Sequence, residues 1–207
     1  MTQVQRGAAR IPDPRVWGTF IGASLASVFV HSNRNALPDP WPMVALLAWV
    51  LAFAWYLWTT LVVPRRFGPP PAVGPKSGLV YLASVAAMIA VIQVGRLLAN
   101  RADRPELGVS VIVFAVGAHF FPFAKAFVAP FFTRLGWVVT TMGVLSFVLG
   151  LFWPTAALAV AVVNGVVMVA MIGGYAWADR ASADEVAASR AGAGTERGTG
   201  DRVVAEN

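Results

Sequence analysis

The stretch that decides the fold is residues 134–178, RLGWVVTTMGVLSFVLGLFWPTAALAVAVVNGVVMVAMIGGYAWA, which carries one charged residue, Arg134, at its very start. An α-helix rises about 1.5 Å per residue and a bilayer core is ~30 Å thick, so about 20 apolar residues cross it once. This stretch is more than twice that length, and Trp153-Pro154 is the break within it. Proline kinks or breaks a helix interior, but it costs no hydrogen bond at the first helical position. The chain therefore reverses at Pro154, giving two spans, Arg134–Phe152 and Pro154–Ala178. Both are apolar on every side rather than along one stripe, which is the pattern of helices surrounded by lipid.

Working outward, four more segments fit the same rule: Val16–His31, Trp41–Val63, Gly78–Ala99 and Leu107–Val128. The expected fold is all-α, a polytopic transmembrane bundle of six helices with short loops. Residues 1–15 form an N-terminal segment, 16–178 the membrane domain, and 179–207 a polar tail. The tail holds six acidic and four basic residues and no aromatic. It is expected to be disordered beyond a few turns of helix. Composition agrees. The chain is 57% hydrophobic and 13% charged, with a mean hydropathy of +0.66. A soluble domain carries about 25% charged residues, so soluble globular, disordered and fibrous classes are excluded. Arg6, Arg10 and Arg15 ahead of an apolar stretch, and Ala23-Ser24-Leu25-Ala26, imitate a signal peptide. The apolar part, Val16 to Gly22, is at the short limit for one, so the first helix is read as uncleaved.

The net charge of +6 would suggest nucleic acid in a soluble protein. Here the basic residues lie beside apolar spans and report orientation instead. With the N-terminus cytoplasmic, the inner segments hold twelve Lys and Arg residues (Arg6, Arg10, Arg15, Arg65, Arg66, Lys76, Lys125, Arg134, Arg180, Arg190, Arg197, Arg202). The outer ones hold four: Arg34, Arg96, Arg101 and Arg104. Both termini are therefore read as cytoplasmic. Prolines near the starts of the second, fourth and sixth helices (Pro42, Pro105, Pro154) fit that direction of travel. Trp41 and Trp153 are expected in the outer headgroup layer and Trp177 in the inner one. The richness in Arg, Ala, Val and Gly with two lysines points to a GC-rich bacterial genome, hence a bacterial plasma membrane. The segment Pro64 to Lys76, with five prolines, reads as an extended connector.

Lipid gives helices no hydrophobic reason to associate, so close packing requires small residues. Gly18, Gly22 and Ala26 make such a stripe on the first helix. Gly136, Gly143 and Gly150 make another on the fifth, recurring every seven residues, a spacing that drifts by only ~20° per repeat. Ala157, Ala161 and Gly165 do the same on the sixth. Packing within the bundle is the simpler reading of these stripes, and a homo-oligomer interface on the first or fifth helix is the other.

No Asp or Glu lies within a span, which argues against proton- and cation-coupled carriers. There is no cysteine, no HExxH, no GxSxG and no phosphate-cradling glycine loop, so no catalytic role, cofactor or metal is expected. Two histidines are present. His31 ends the first helix, while His119 lies twelve residues into the fourth, ~18 Å deep. Pro122 removes one hydrogen bond there and is expected to kink the helix and free the carbonyl of Ala118. Asn164 lies at similar depth on the parallel sixth helix and is expected to meet His119. Gln93, Arg96 and Asn100 share a face of the third helix near the outer surface. Lys125 reads as an inner anchor, and Thr140, Thr141 and Ser146 as bonding their own helix.

The segment Gly117-Ala118-His119-Phe120-Phe121-Pro122-Phe123-Ala124 resembles one found in small uncharacterised multi-spanning membrane proteins of bacteria, a G-x-H-F-x-P-x-A pattern. The resemblance implies a membrane bundle and no particular activity. Two functional classes follow from the residues. One is an integral membrane protein that handles a small polar or anionic solute through a central cavity lined by His119, Asn164 and Arg96. The other is an accessory subunit, in which those residues lock the bundle and a partner protein docks. The bilayer is a partner in either case.

The orientation is testable because the chain has no native cysteine. A cysteine at Asn35 should react with an impermeant reagent added outside cells, and one at Ala72 should be protected. The opposite pattern would reverse the topology.

Overall fold

Each of the six apolar segments is a helix: α1 (Pro14–Asn33), α2 (Trp41–Leu57), α3 (Ser77–Arg101), α4 (Leu107–Ala126), α5 (Pro130–Phe152) and α6 (Pro154–Ala178). The computed structural model describes residues 3–10, 14–69 and 72–188. Among these, five helices are long and apolar enough to cross a membrane: α2 with its continuation to Val62, and α3 to α6. The expected sixth, α1, has the length, but Thr19, Ser24, Ser27 and His31 to Asn33 dilute its hydropathy. It nevertheless runs inside the bundle, with Ala23, Ala26 and Val30 buried. Proline opens α5 (Pro130) as well as α2 and α6, so it appears at both ends of the bundle. It marks a helix start, not a side of the membrane.

The helices run up and down in sequence. Helix α6 is the axis and packs against α1, α2, α4 and α5; α4 packs against α5 and α3. Ala157, Ala161, Val169, Ile172 and Ala176 of α6 are all fully buried or nearly so. Helix α3 is the peripheral member. It joins the bundle chiefly through α4, and its buried residues are Ser77 and Ala99, one near each end.

Glycine makes these approaches possible. A Cβ on Gly143 would lie 2.5 Å from the backbone nitrogen of Phe114 and 2.6 Å from its Cα. One on Gly136 would lie 3.2 Å from the Gly117 carbonyl oxygen, and one on Gly150 would lie 2.8 Å from Leu107 Cδ2. On the α4 side, Gly117 meets the backbone of Thr140. The glycine stripe on α5 is therefore filled by α4. The α1 stripe is filled from within as well: Gly18 faces Phe132, Gly22 faces Ile172, and Gly165 of α6 abuts the Ala26 carbonyl. Both stripes therefore have neighbours within the chain, and Gly18 and Gly22 also border a cleft between α1 and α3.

Hydroxyl groups add a node where three helices meet. Ser110 of α4 and Ser146 of α5 share a hydrogen bond of 2.7 Å, and Ser146 donates to the Ala157 carbonyl of α6 at 3.1 Å. Both serines are fully buried. The expectation that Ser146 bonds its own helix is thereby corrected. A hydroxyl that can cross to a neighbouring helix does so where backbones lie this close.

One end of the bundle carries structure that hydropathy did not announce. Residues Gln3–Arg6 form a strand, β1, antiparallel to β2, Pro64–Phe67. The other edge of β2 pairs with the chain leaving α6: Arg66 N–H donates to the Asp179 carbonyl at 2.9 Å and Ala181 N–H to the Pro64 carbonyl at 2.8 Å. Arg65 is buried beneath this plate, 3.4 Å from the Asp179 carboxylate and over the rings of Phe67 and Tyr175. Arg66 pairs with Glu185 at 3.3 Å. The Pro64 to Lys76 connector is thus partly a strand. Residues 179–188 lie against it, and 189–207, where the disordered tail is expected, lie outside the described residues. Next to the plate, α2 ends in a π-helical turn, Trp58–Val62, and the Thr60 carbonyl lies against Gly7, where any Cβ would collide. Trp55, Trp58 and Trp177 cluster at this end, while Trp41 and Trp153 lie exposed at the other.

Replacing Gly143 with Leu should lower thermal stability in detergent well below that of Leu145→Phe, since Leu145 is half exposed. Overpacking typically costs ~1–3 kcal/mol, and here the obstacle is backbone. Equal melting temperatures would contradict the α4–α5 contact.

Candidate functional site

The residues singled out from the sequence do not converge on one central cavity. His119 points from α4 toward α3, with Nδ1 3.1 Å from Ser84 Oγ. The Ser84 hydroxyl proton is already committed, because Ser84 Oγ donates to the Tyr81 carbonyl at 2.8 Å. Nδ1 therefore carries the imidazole proton and donates to Ser84, and Nε2 is left as a lone-pair acceptor. Among the described residues Nε2 has no partner. Tyr81 and Phe123 pack near the ring, with centroids at 5.9 and 6.2 Å. Pro122 sits inside α4, one turn from Ala118, and the helix continues through it.

Asn164 is elsewhere. It is fully buried on α6, its Nδ2 reaches Met168 Sδ at 3.5 Å, and its Oδ1 has no hydrogen-bond partner. It lines none of the cavities described below and shares no hydrogen bond with His119. The two residues face different neighbours. The expected shared site between them is therefore corrected: α6 directs Asn164 into packed core, while α4 turns His119 toward α3.

Arg96 and Gln93 are exposed on α3, and Gln93 lines no described cavity. The stem of Arg96 lies over Gly108 of α4, where a Cβ would sit 3.4 Å from Arg96 Cγ. Its head borders a hollow of about 380 Å³ at the end of the bundle opposite the strands, together with Ser32, Asn33 and Glu106. Glu106 accepts a 2.6 Å hydrogen bond from Arg104 Nε, and this contact holds its carboxyl below the ordinary glutamate range. Arg104 also donates to the carbonyls of Gly150 and Leu151. His31 is likewise at this end, edge-on to Trp49 at 4.4 Å.

The cavity that His119 lines is lateral. Helices α1 and α3 do not form a packed interface, and the gap between them is a cleft of about 370 Å³. Leu25 and Phe29 of α1 form one wall, Val85 and Met88 of α3 the other, and Val116, His119 and Met168 the floor. His119 and Tyr81 are the two polar side chains on its lining. A larger hollow, about 540 Å³, lies between α2 and α6, with apolar walls and Thr155 as its single polar side chain. Among the described residues, no three of His, Cys, Asp or Glu come together. The chemistry the cleft can perform is therefore retention of an apolar body, with one imidazole nitrogen able to accept a hydrogen bond.

Sequence reasoning missed Ser84 and Tyr81 as partners of His119. Ser84 and Tyr81 lie at i and i−3 on one face of α3, which was the available signal. No family model, curated protein or solved structure shows significant similarity to the chain.

Replacing Asn164 with Leu should leave the protein as stable or raise its stability by about 1–3 kcal/mol, by removing an unpaired buried oxygen. His119→Ala should cost only about 0.6 kcal/mol, the mean for hydrogen bonds between membrane helices. Because the two residues share no partner, the effects should add in the double variant. Thermal denaturation in detergent measures all three, and strong non-additivity would restore a shared site.

Proposed function

We propose that the chain is a non-catalytic, multi-pass protein of the bacterial plasma membrane that holds a lipid-like molecule in the cleft between α1 and α3. The observation that carries this reading is the cleft's chemistry: about 370 Å³, open to the side of the bundle, apolar apart from His119 and Tyr81. A cleft of this kind is filled from the bilayer rather than from water. A central path for a small polar solute would need His119, Asn164 and Arg96 on one wetted surface. Asn164 instead faces packed side chains, and His119 faces an apolar groove.

Both termini are read as cytoplasmic. The excess of Lys and Arg supports this, as does the gathering of residues 3–6, 64–67 and 179–181 at one end. A second reading, an accessory subunit docking a partner protein, is favoured by α3, which touches the bundle through α4 and leaves its outward face bare.

The test is native mass spectrometry of the full chain purified in mild detergent, beside Val85→Trp, which fills the cleft from the peripheral helix. Wild type should retain a lipid-like adduct that Val85→Trp loses at unchanged melting temperature. Equal adducts in both would remove the cleft reading. Capture of a stoichiometric protein partner through α3, with no lipid lost in the variant, would replace it with the accessory one.

A further inference from the structure

Resting on that reading, we propose that the occupant is an anionic phospholipid. Its chain lies along the cleft and its phosphate is held by Arg96 in the hollow at the cleft's mouth. The two cavities adjoin: Val28, Phe29 and Ile112 line both the apolar cleft and the polar hollow. From Tyr81 to Arg96 along α3 the combined groove spans ~22 Å at 1.5 Å per residue, enough for a long acyl chain. Helix α3 has 25 residues, ~37 Å, so it overreaches a ~30 Å hydrocarbon core by a few ångströms at each end. Arg96, five residues before the end of α3, therefore lies just inside the hydrocarbon boundary. From there its long side chain reaches outward to the phosphate layer, and an unpaired guanidinium left within the boundary is costly.

Charge selects the headgroup class. Arg96 has no hydrogen bond or ion pair among the described residues. The acid facing the same hollow, Glu106, is already engaged by Arg104 at 2.6 Å. A zwitterionic headgroup would bring an ammonium to a carboxylate whose charge is taken, while its phosphate gained Arg96. An anionic headgroup gains Arg96 and carries no ammonium to satisfy. Ser32 supplies a hydroxyl donor beside it. Asn33, whose Nδ2 donates to the Phe29 carbonyl, presents its remaining oxygen to headgroup hydroxyls. The fork of guanidinium donors matches phosphate oxygens in pairs.

The experiment exposes the delipidated full chain to phosphatidylglycerol or phosphatidylethanolamine of identical acyl chains and compares retained adducts. Wild type should prefer phosphatidylglycerol about tenfold, the range of one charge-assisted hydrogen-bonded contact. Arg96→Gln should abolish the preference, and Arg101→Gln, an exposed arginine at the same end that borders neither cavity, should keep it. Val85→Trp should lose both lipids. Equal retention of the two lipids, or a preference for phosphatidylethanolamine, with both still lost in Val85→Trp, would overturn the headgroup assignment and leave the cleft reading standing. Retention insensitive to Val85→Trp would overturn both. A third arm titrates inorganic phosphate alone. Arg96-dependent phosphate binding that Val85→Trp does not alter would mark a free-anion site and overturn the lipid assignment.

Discussion

At Gly143 the backbone of α5 lies against the backbone of Phe114 in α4, and much of the remaining architecture follows from that approach. Lipid offers no reward for burying one leucine against another, so the helices adhere where main chains can touch. The same device recurs at Gly117 against Thr140 and at Gly165 against Ala26. These contacts set two tight pairs, α4 with α5 and α1 with α6, and α6 joins them by packing against both α4 and α5. The buried Ser110, Ser146 and Ala157 node lies at the seam between the pairs. Hydroxyl side chains are small enough to bridge there without prising the helices apart.

The cleft is the complement of that arrangement. Helix α3 is held to α4 by Gly95 against Val111, by Ser84 with His119, and by Ser77, whose hydroxyl donates to the Ala126 carbonyl. Helix α1 is committed to α6. Gly18 and Gly22 of α1 border the gap but meet no backbone of α3 there; Leu25, Phe29, Val85 and Met88 stand in it and line it. Side chains that would close a core in water leave a groove in a membrane, because its walls are as well solvated by acyl chains as by each other.

Much of the fold was legible because hydropathy and proline report single elements. Trp153-Pro154 separates α5 from α6 where the sequence reading puts the break, and the seven-residue glycine period on α5 identifies a real packing face. The partner of that face was not legible: periodicity locates a stripe on a helix without saying which neighbour fills it. The site shows the same boundary. The depth of His119 and Asn164 follows from counting residues, but their azimuth around the bundle depends on which helices are adjacent. That is why expected equal depth did not become contact. Arg96 was legible as a cation near the surface; its adjacency to the cleft depends on Val28, Phe29 and Ile112, which no motif marks. Strands β1 and β2 escaped because four-residue strands among Pro and Arg carry no alternation worth reading. The pairing depends on residues 3–6, 64–67 and 179–181 arriving together.

That pairing also imposes an order on synthesis. Strand β2 bonds on one side to residues 3–6, ahead of α1, and on the other to residues 179–181, which follow α6. A chain still being inserted can dock residues 3–6 onto 64–67 once α2 is in place. Until α6 has crossed, however, the second edge of β2 stays open and the Arg65 guanidinium lacks Asp179. The plate closes only when α6 has emerged on the side where residues 3–6 lie. A chain with one helix misinserted would deliver Asp179 to the wrong face and leave a buried arginine without its counter-ion.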